Sequence, residues 1–600
     1  MYPGRKTANR SRGAVIVART TPGAYDTPLP SNLELADRFQ AIADYLALDG
    51  AAIYRVLAYE KAATLFREHP TSVAELAAGG DLRTLPGVGE AIEAKVLEYL
   101  STGGIAFLSE LGAKYPEGVL ELIRLPGVGP KMARKLWDAL GVAGIDALEE
   151  ACAAGRVRTL PGAGRKTEEN LLKAIGAYRA RAGRHLLGLV EPLAERLASG
   201  LRALPVTSAA DFAGSLRRRR STVRDIDLVV ASDRPEAVAE AFAASPEVAA
   251  IDERGATKVV GRSHTGLGID LRIVPPASYG NLLQHFTGSG DHNIALRGYA
   301  QRLGYKVSEY HVEEVDSGRR HAFPTEAQVY ELLGLTLIPP ELRENQGELE
   351  ASRAGTLPRL IERNDLRGDL HVHSDWSDGR ATMEQMAAAA RERGLEYLCF
   401  CDHSQSLGMG VGLTPDRVLE EIDAVRSLDG RVERIRLLAG SEVDILADGR
   451  IDLPDEVLAQ LDFVTASIHS GFGQSRAQIM RRLTAALENP NVDAIGHPTG
   501  RLLDRREPYE VDFRQLAELA AQTGTILEIN AAFDRLDLPA PAARLAHSLG
   551  ARIAICSDAH APAGFDLLRY GIGEARRAWL EARDVVNTLP VDEFLALLHA

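Results

Sequence analysis

The chain is poor in cysteine: only four occur in 600 residues, and no pair of them has the Cys-x-x-Cys spacing. A disulfide framework and a zinc knuckle are therefore excluded, and a reducing, cytoplasmic environment is expected. No apolar run approaches the length of roughly 20 residues that a membrane-spanning helix needs, so no membrane partner is expected. The first 30 residues lack the apolar segment of a secretory signal.

Acidic residues outnumber basic ones, because 83 Asp and Glu stand against 69 Lys and Arg, and the net charge is −14. This balance is unusual for a protein that binds nucleic acid. Net charge is a weak guide in a chain of several domains, however, and local clusters carry more information. One such cluster is the run from Arg217 to Arg220. Another is segment 1–30, which is basic up to Asp26; we interpret it as a disordered basic tail, or as an extension from an upstream, non-native start codon.

Seven short apolar runs in the last third of the chain each lead into a turn, and helical stretches separate them. Six of these turns carry a His, Glu or Asp, and the run 526–530 supplies Glu528 and Asn530 instead. Strands that alternate with helices, with polar residues at the strand ends, are typical of a parallel α/β barrel. Imidazoles and carboxylates that converge there favour divalent metals. The pattern predicts a metal site at one face of a barrel.

A single histidine at a strand end is more often a hydrogen-bonded rim residue than a metal ligand. Here six of the 15 histidines follow strand-like runs within one segment, and accidental placement is a poor explanation. With three carboxylates they make nine potential ligands, too many for one ion and suited to three. The nine are His371, His373, Asp378, His403, Glu442, His469, His497, Asp558 and His560.

These residues resemble the PHP (polymerase and histidinol phosphatase) family of metal-dependent phosphoesterases over residues 367–600. The resemblance implies hydrolysis of a phosphoester with Mn²⁺ or Zn²⁺, where bound metal lowers the pKa of a water. It leaves open whether the ester is a small phosphate or a nucleic-acid end. The matching motifs are Asp-Leu-His371-Val-His373-Ser, Asp402-His403-Ser, Glu442, His469, Gly-His497-Pro and Ser-Asp558-Ala-His560.

The first third of the chain contains the motif Leu-Pro-Gly-x-Gly three times, at intervals of about 35 to 40 residues. Glycine permits a tight turn between two helices, and the N–H groups that begin the second helix favour phosphate without reading a base. A helical solenoid has a similar period, but only the hairpin recurs here. The motif resembles helix-hairpin-helix DNA-binding motifs, and the glycines expected to contact a DNA backbone are Gly87, Gly89, Gly127, Gly129, Gly162 and Gly164.

The middle of the chain carries three acids in two strand-like runs, Asp225 and Asp227 in the first and Asp270 in the second. Residues two apart in a strand point to one face, so pairing of the two runs brings the carboxylates together. Three such carboxylates repel one another unless cations lie between them. Two Mg²⁺ or Mn²⁺ ions held in this way suit in-line nucleotidyl transfer.

With these motifs in this order, the chain from Asn32 to Ala600 resembles the family X DNA polymerases that carry a C-terminal PHP domain. The resemblance implies an enzyme that uses deoxynucleoside triphosphates to fill gapped or nicked double-stranded DNA in base excision or strand-break repair. It also implies a metal-dependent 3′→5′ exonuclease in the PHP domain. The implied fold is a multidomain combination of α and α/β: a helical helix-hairpin-helix N-terminal region, a nucleotidyltransferase-type palm and thumb, and a distorted (β/α)7 barrel.

Residue roles follow from the same resemblance. The three acids are implied metal ligands and catalytic residues, with Asp270 as the base for the primer hydroxyl. Arg297 is an implied template contact. The residues implied to contact the incoming nucleotide are Gly214, Ser215, Arg218, His285, Phe286, Gly288 and Asn293.

Two positions carry additional expectations. His285 stands where the family usually has Tyr, which predicts weaker discrimination between deoxy- and ribonucleotides. Lys95 stands where the family has its Schiff-base lysine, on the helix after the first hairpin, which implies an optional 5′-deoxyribose-phosphate lyase activity. A lysine that contacts phosphate is an equally good interpretation of Lys95.

The charged segment 346–366 is poor in apolar periodicity, which indicates a linker between polymerase and barrel. The predicted divisions are a tail (1–30), a lyase-type helical domain (31–105), a helix-hairpin-helix region (106–184), a palm (185–277), a thumb-like domain (278–345), the linker, and the PHP domain (367–600).

Two other functions stay open at this point. One is a DNA-end nuclease whose polymerase module only binds DNA, and the other is a non-catalytic scaffold for repair partners. A free histidinol-phosphate phosphatase would leave the hairpins and the three acids unexplained. Nothing demands an oligomer, so we expect a monomer, in the cytoplasm and associated with the nucleoid.

Overall fold

The computed structural model divides the chain into two compact units, the first ending at Glu169 and the second comprising Asn170–Ala600, with segment 124–127 grouped with the second. Among the residues that it describes, no helix has the length and apolar character to cross a bilayer. All of the predicted basic tail except its last residue, Pro30, lies outside these residues. The described residues are 30, 32–68, 73–85, 87–116, 118–125, 127–181, 183–407 and 412–598.

The N-terminal region is helical, as predicted. In its first helix the buried residues Leu35, Phe39, Ile42 and Leu46 recur every three or four positions, so one face packs inward. The helices are α1 (Asn32–Leu48), α2 (Ile53–Glu68), α3 (Val73–Gly79), α4 (Glu90–Thr102), α5 (Ala106–Gly112), α6 (Gly118–Ile123), α7 (Pro130–Leu140), α8 (Ile145–Ala153) and α9 (Arg165–Arg181).

A five-stranded mixed sheet follows. It consists of β2 (Ala209–Phe212), β4 (Asp225–Ala231), β5 (Val248–Arg254), β6 (Lys258–Ser263) and β7 (Gly268–Val274), in the order β2-β4-β7-β6-β5. β4 and β7 are parallel, and the other neighbours are antiparallel. The pairing of the two acid-bearing runs is thus confirmed. The other elements of this region are β1 (His185–Leu186), β3 (Thr222–Val223), α10 (Leu187–Arg202), α11 (Gly214–Arg217) and α12 (Pro235–Ala243).

A smaller region contains an antiparallel sheet of three strands and a buried ion-pair network. Arg343 is fully buried and donates to Glu326, and Arg217 donates to the same carboxylate. The predicted linker contains a helix whose Glu348 is buried 2.6 Å from His292, so this part is packed. The elements are α13 (Tyr279–Thr287), α14 (Gly290–Arg302), β8 (Tyr305–Val307), β9 (Val312–Glu314), β10 (Arg320–His321), α15 (Glu326–Leu332) and α16 (Glu348–Ala354).

Seven parallel strands in sequential order form the C-terminal barrel. The last strand lies beside the first, since Val372 and Ala559 form a parallel bridge. All seven predicted strands are present, which confirms the fold class. The strands are β11 (Gly368–Val372), β12 (Tyr397–Phe400), β13 (Arg436–Asp444), β14 (Phe463–Ser467), β15 (Ala494–Ile495), β16 (Ile526–Asn530) and β17 (Arg552–Cys556).

The helices between the strands, together with α23 after the last strand, cover the outside of the barrel, and their apolar residues form one core with the strands. The last helix, α24, packs Phe594 in a second cluster with strand residues such as Tyr397 and Phe463. The bounds are α17 (Met383–Glu392), α18 (Pro415–Leu428), α19 (Asp455–Leu458), α20 (Arg476–Leu487), α21 (Phe513–Thr523), α22 (Ala540–Ser548), α23 (Leu568–Arg577) and α24 (Val591–Leu598).

The five-stranded region and the barrel share apolar packing. Leu536 and Tyr570 of the barrel are buried in the cluster that contains the core of the five-stranded sheet. Helix α10 approaches closely enough that a Cβ on Gly188 would lie 2.4 Å from the Phe533 ring. Because this cluster includes side chains from both regions, their relative position is set by packing.

We expect Glu326→Gln to destabilise the second unit by about 3 kcal/mol, because the buried Arg343 would lose its charged partner. Burial alone would raise the pKa of Glu326, but Arg343 and Arg217 lower it to about 2, from an ordinary 4.5. The stabilisation is therefore complete above the ordinary pKa and is lost as the pH falls toward 2. Unfolding midpoints at pH 7 and pH 3 check this expectation.

The difference between variant and wild type should be large at pH 7 and smaller at pH 3. Glu331→Gln, an exposed change on the same helix, should match the wild type at both. Equal midpoints for Glu326→Gln and wild type at pH 7 would contradict the expected role of the buried pair.

Candidate functional sites

The three predicted acids meet at one end of the parallel pair β4 and β7. Asp227 and Asp270 are register partners on the two strands, and Asp225 lies two residues before Asp227. Burial raises the pKa of Asp227 to about 7, and the charges of Asp225 and Asp270 add to that rise. The carboxylates thus repel one another, and divalent cations would relieve the repulsion.

Arg272 holds the third of these acids. Its guanidinium donates to both oxygens of Asp270, at 2.9 and 3.2 Å, and lies 5.3 Å from the centre of the Phe286 ring. Sequence reasoning assigned Arg272 no role. The sequence did contain an indication of this contact, because residues 270 and 272 are two apart in one strand and therefore lie on the same face.

Gly214 lies against Asp227 at the start of α11. Its φ of +60° is in the left-handed region, and a Cβ there would lie 1.9 Å from Asp227 Oδ2. Ala213 N–H donates to the Asp227 carbonyl at 2.8 Å, which joins this turn to β4. Position 214 therefore requires glycine for two reasons: the left-handed φ, and the lack of space for a Cβ beside the Asp227 carboxylate. The turn brings Ser215 and the start of α11 beside the acids.

The arginine run does not form the free cationic cluster for nucleic acid that the sequence favoured. Arg218 donates to Glu344 at 2.9 Å and to the Thr287 carbonyl, and it is nearly buried. Arg217 pairs with Glu326, Arg219 with Glu191, and Arg220 lies 3.8 Å from Glu344. The partners are more than 25 residues away in sequence, so local pattern could not reveal them.

Asn293 forms a clamp on the turn after α13. It donates to the carbonyls of His285 and Gly288, at 2.7 and 3.1 Å. A Cβ on Gly288 would lie 2.7 Å from Asn293 Oδ1, so the turn requires glycine. His285 packs beside Phe286 and lies 3.7 Å from Glu309. Burial lowers the pKa of His285, against the effect of Glu309.

Arg297, the implied template contact, is exposed on α14. Its contact with a template strand stays a prediction, as do the nucleotide contacts of Gly214, Ser215, Arg218 and the segment from His285 to Asn293.

The three hairpins share one backbone conformation. Gly87, Gly127 and Gly162 have φ values of +83°, +84° and +82°, which L-residues rarely adopt. The second glycine of each motif has an ordinary φ, and a Cβ there would meet no described atom within 4 Å. Neither backbone nor packing explains those glycines (Gly89, Gly129 and Gly164), whereas close approach by a ligand does.

Lys95 makes contacts within the first unit. Its ammonium group lies 5.0 Å from the Phe107 ring centre and 5.8 Å from that of Tyr59, and donates to the Ala91 carbonyl at 3.4 Å. These contacts neither support nor oppose a Schiff base.

The barrel brings eight of the nine predicted ligands into three groups with metal-binding spacing. Each group has its potential ligand atoms within 4.8 Å of one another. The ninth, His497, has Nε2 2.8 Å from Glu442 Oε1. The groups are His373, Asp378, His403 and His560; His371, His373 and Asp558; and His403, Glu442 and His469.

The hydrogen-bond pattern of the imidazoles fits metal ligation. Among the described residues, neither ring nitrogen of the buried His373 has a hydrogen-bond partner, and His371 Nε2 and His497 Nδ1 also have none. A buried imidazole without any partner costs free energy that a coordinated cation would recover. Burial alone would raise the pKa of Glu442, but His469, His403 and His371 hold it well below its usual range.

Several residues that support the ligands were not assigned from sequence. Glu528 lies 2.8 Å from His371 Nδ1, and Asp444 lies 3.1 Å from His469 Nδ1, contacts that orient the rings. Asp402 accepts hydrogen bonds from Ser374 and Ser377, in the turn that carries Asp378. The sequence indicated these supporting residues only by the position of their carboxylates, at strand ends next to predicted ligands.

Four protein families match separate parts of the chain. Their descriptions are a helix-hairpin-helix domain for residues 30–105, a SAM-like helix-hairpin-helix tandem for 119–177, a DNA polymerase beta thumb for 282–344, and a PHP domain for 369–532. The first two lie in the region with the three hairpins, the third contains the Asn293 clamp, and the fourth begins at β11 of the barrel.

One relative matches nearly the whole chain. It is a protein of Bacillus subtilis (strain 168) named DNA polymerase/3′-5′ exonuclease PolX, 38% identical over 561 residues, which are 93% of this chain and 98% of that protein. Proteins named as probable phosphatases match less of it. One from Caldanaerobacter subterraneus subsp. tengcongensis is 31% identical, and the match covers 32% of this chain and 75% of that protein. One from Syntrophotalea carbinolica is 33% identical, and the match covers 27% of this chain and 64% of that protein.

We expect Gly214→Ala to reduce nucleotide incorporation on a primed, gapped duplex by about 100-fold or more, because the new Cβ must displace Asp227 from its place beside Asp270. Degradation of a labelled 3′ end by the same protein should not change, since the barrel is untouched. Gly200→Ala is the matched control, because a Cβ at Gly200 meets no described atom within 4 Å. Wild-type incorporation by Gly214→Ala would contradict the close packing of this turn on Asp227.

Proposed function

The chain belongs to the family X DNA polymerases that carry a C-terminal PHP domain, and from that premise we propose that it fills short DNA gaps and trims 3′ ends. The proposal rests on two features of one compact unit. One is the set of three acids on β4 and β7, of which Asp227 and Asp270 are register partners, and the other is the three groups of potential metal ligands in the barrel. The substrates would be gapped or nicked double-stranded DNA and deoxynucleoside triphosphates, in base excision or strand-break repair.

The acids and the barrel residues would hold the metals. Asp225, Asp227 and Asp270 suit two Mg²⁺ or Mn²⁺ ions, and the nine barrel residues suit three Mn²⁺ or Zn²⁺ ions. When bound, such cations neutralise phosphate charge and lower the pKa of the attacking oxygen.

In nucleotidyl transfer, Asp270 would accept the proton of the primer 3′ hydroxyl. Arg272 donates to both oxygens of Asp270, and each oxygen keeps a further lone pair that can accept this proton. The backbone at Gly214 and Ser215 and the guanidinium of Arg218 would bind the triphosphate. Arg218 pairs with Glu344 through its Nε, so the incoming nucleotide would either share the guanidinium with that carboxylate or displace it.

The first unit would bind the DNA backbone. The three hairpins repeat one glycine conformation and leave space beside the second glycine for a phosphate to approach. Such binding is independent of base sequence, which suits an enzyme that meets gaps anywhere in a genome. We propose that the protein works as a monomer in the cytoplasm, at the nucleoid.

Two further activities have less support. A 5′-deoxyribose-phosphate lyase rests on the position of Lys95 alone. A nuclease whose polymerase module serves only for DNA binding is favoured by the ion pairs of Arg218 with Glu344 and of Asp270 with Arg272, because both pairs engage residues that nucleotide addition would use. A non-catalytic scaffold would leave the two clusters of potential metal ligands without a purpose.

We expect the two activities to be separable on a 5′-labelled primer in a gapped duplex with Mn²⁺. Asp227→Ala should abolish extension and retain shortening, because it removes the acid between Asp225 and Asp270. His373→Ala should abolish shortening and retain extension, because His373 belongs to two of the three ligand groups. Reactions with and without nucleotides, resolved by length, measure both.

The polymerase assignment fails if Asp227→Ala extends the primer at the wild-type rate. If extension is absent in the wild type and shortening is present, the nuclease with a DNA-binding polymerase module is the better description. His264→Ala, an exposed histidine on the loop between β6 and β7, controls for loss of an imidazole in general and should leave both activities intact.

We expect His285→Tyr to sharpen the discrimination between deoxy- and ribonucleotides. The imidazole packs beside Phe286 on the face of α13 near Glu309, where the larger ring of tyrosine would fill more space at the implied sugar position. The ratio of kcat/KM for the two nucleotide types measures this, and we expect a rise of about tenfold, as for one added steric contact. Identical ratios in both proteins would contradict a role for position 285 in sugar selection.

A further inference from the structure

The segment after β16 places a guanidinium beside the barrel ligands that no role above uses. Arg535 Nε lies 4.0 Å from Asp558 Oδ2. The other oxygen of that carboxylate, Oδ1, faces His373 Nε2 at 3.2 Å. Arg535 therefore borders the ligand cluster on the side of Asp558.

The guanidinium of Arg535 is incompletely paired. Its Nη1 is buried and has no hydrogen-bond partner among the described residues. The side chain as a whole is 18% exposed to solvent. The distance of 4.0 Å to Asp558 is too long for a hydrogen bond. A buried donor without a partner is unfavourable unless a ligand satisfies it. An oxyanion at the metal cluster would do so.

The backbone around Arg535 is held in place from both sides. Arg501 Nε donates to the Arg535 carbonyl at 2.9 Å. Asp537 is fully buried and accepts from Thr499 N–H at 3.0 Å. On the other side Leu536 is buried in the cluster shared with the five-stranded sheet. The arginine thus projects from a fixed loop, which lowers the cost of ordering it on a ligand.

A second arginine, Arg506, lies on a loop that contacts the Arg535 loop, since Leu503 N–H donates to the Asp534 carbonyl at 2.6 Å and Leu502 forms a bridge with Arg506. Arg506 stacks on Phe472, with its guanidinium carbon 3.9 Å from the ring centre, and its Nε donates to the Gly500 carbonyl at 2.7 Å. Burial and the neighbouring Arg535 lower the pKa of Arg506 to about 10. Asp537 interacts electrostatically with both guanidinium groups. That carboxylate already accepts hydrogen bonds from Thr499 N–H, so a further anion that both arginines can bind would be favourable.

We propose that Arg535 binds the scissile phosphodiester at the barrel site and that Arg506 binds the next phosphate of the same strand. This inference rests on the proposed nuclease function. In the reaction, water forms a new bond to phosphorus as the P–O3′ bond breaks, releasing a nucleoside 5′-monophosphate and a shortened strand with a free 3′ hydroxyl. Arg535 supplies no proton; its fixed charge stabilises the phosphoryl oxygens as their negative charge increases.

A structural role for Arg535, neutralising Asp558 and the buried Asp537, is the competing explanation. It predicts that loss of the guanidinium weakens metal binding or folding, and that small and large esters are affected alike. A phosphate contact predicts intact metal binding with slower cleavage. Replacement of Arg506 distinguishes the two explanations further. Among the described residues Arg506 has no ion pair with a barrel ligand, so only the phosphate-contact explanation predicts that its loss weakens binding of a strand.

The test uses the full-length protein with Mn²⁺ and two substrates, a 5′-labelled single-stranded oligonucleotide and bis(p-nitrophenyl) phosphate. We expect Arg535→Gln to lower kcat on both by about 100-fold, and Arg535→Lys to recover part of that loss. Arg506→Gln should raise KM for the oligonucleotide about tenfold and leave the small ester unaffected. Arg434→Gln, an exposed arginine before β13 at the opposite end of the barrel, should match the wild type.

Three further measurements keep the outcomes distinct: Mn²⁺ binding by calorimetry, oligonucleotide binding by fluorescence anisotropy in EDTA, and gap filling as a check on folding. The proposal requires unchanged Mn²⁺ stoichiometry and gap filling, with weaker anisotropy for both arginine variants. It is overturned if Arg535→Gln cleaves both esters at the wild-type rate, or if its activity falls only in proportion to lost Mn²⁺. If the wild type cleaves the small ester but no oligonucleotide, the nuclease function fails, and Arg535 is still judged on the small ester.

Discussion

A buried carboxylate, Glu442, holds the barrel site together. Five imidazoles lie 2.8 to 3.7 Å from its oxygens: those of His371, His373, His403, His469 and His497. They come from the ends of four different strands, so the cluster exists only when the barrel is almost closed. Burial disfavours the charge of Glu442 and the surrounding imidazoles favour it. The same geometry that stabilises one carboxylate also brings potential metal ligands together.

In the polymerase region the main ion pairs join arginines, rather than imidazoles, to carboxylates. The run Arg217 to Arg220 is paired with carboxylates, and its partners come from α10, from α15 and from the segment before α16. Pairs of this sort leave little free charge for DNA at this position. They help to explain how a protein that acts on nucleic acid carries a net charge of −14: acids serve as arginine partners and as metal ligands. DNA contact is then left to local features, such as the hairpins.

The two sites are physically connected. The loop after β16 contributes Leu536 to the core under the five-stranded sheet, and one residue earlier it places Arg535 beside Asp558. The position of a guanidinium in the barrel site is therefore tied to packing in the polymerase region. Extension and shortening of one 3′ end are opposed activities, and a shared rigid element keeps the two sites at a constant separation.

The sequence by itself determined the element types, and it predicted the three acids, the hairpin glycines and the potential ligands of the barrel. Strand alternation, positive-φ glycines and polar residues at strand ends are all local, so they can be read without the fold. Only the tertiary structure decided the partners: Glu344 for Arg218, 126 positions away, Glu528 for His371, 157 positions away, and Asp558 for Arg535. Such contacts depend on which strands and loops become neighbours, and no periodicity in the chain encodes that.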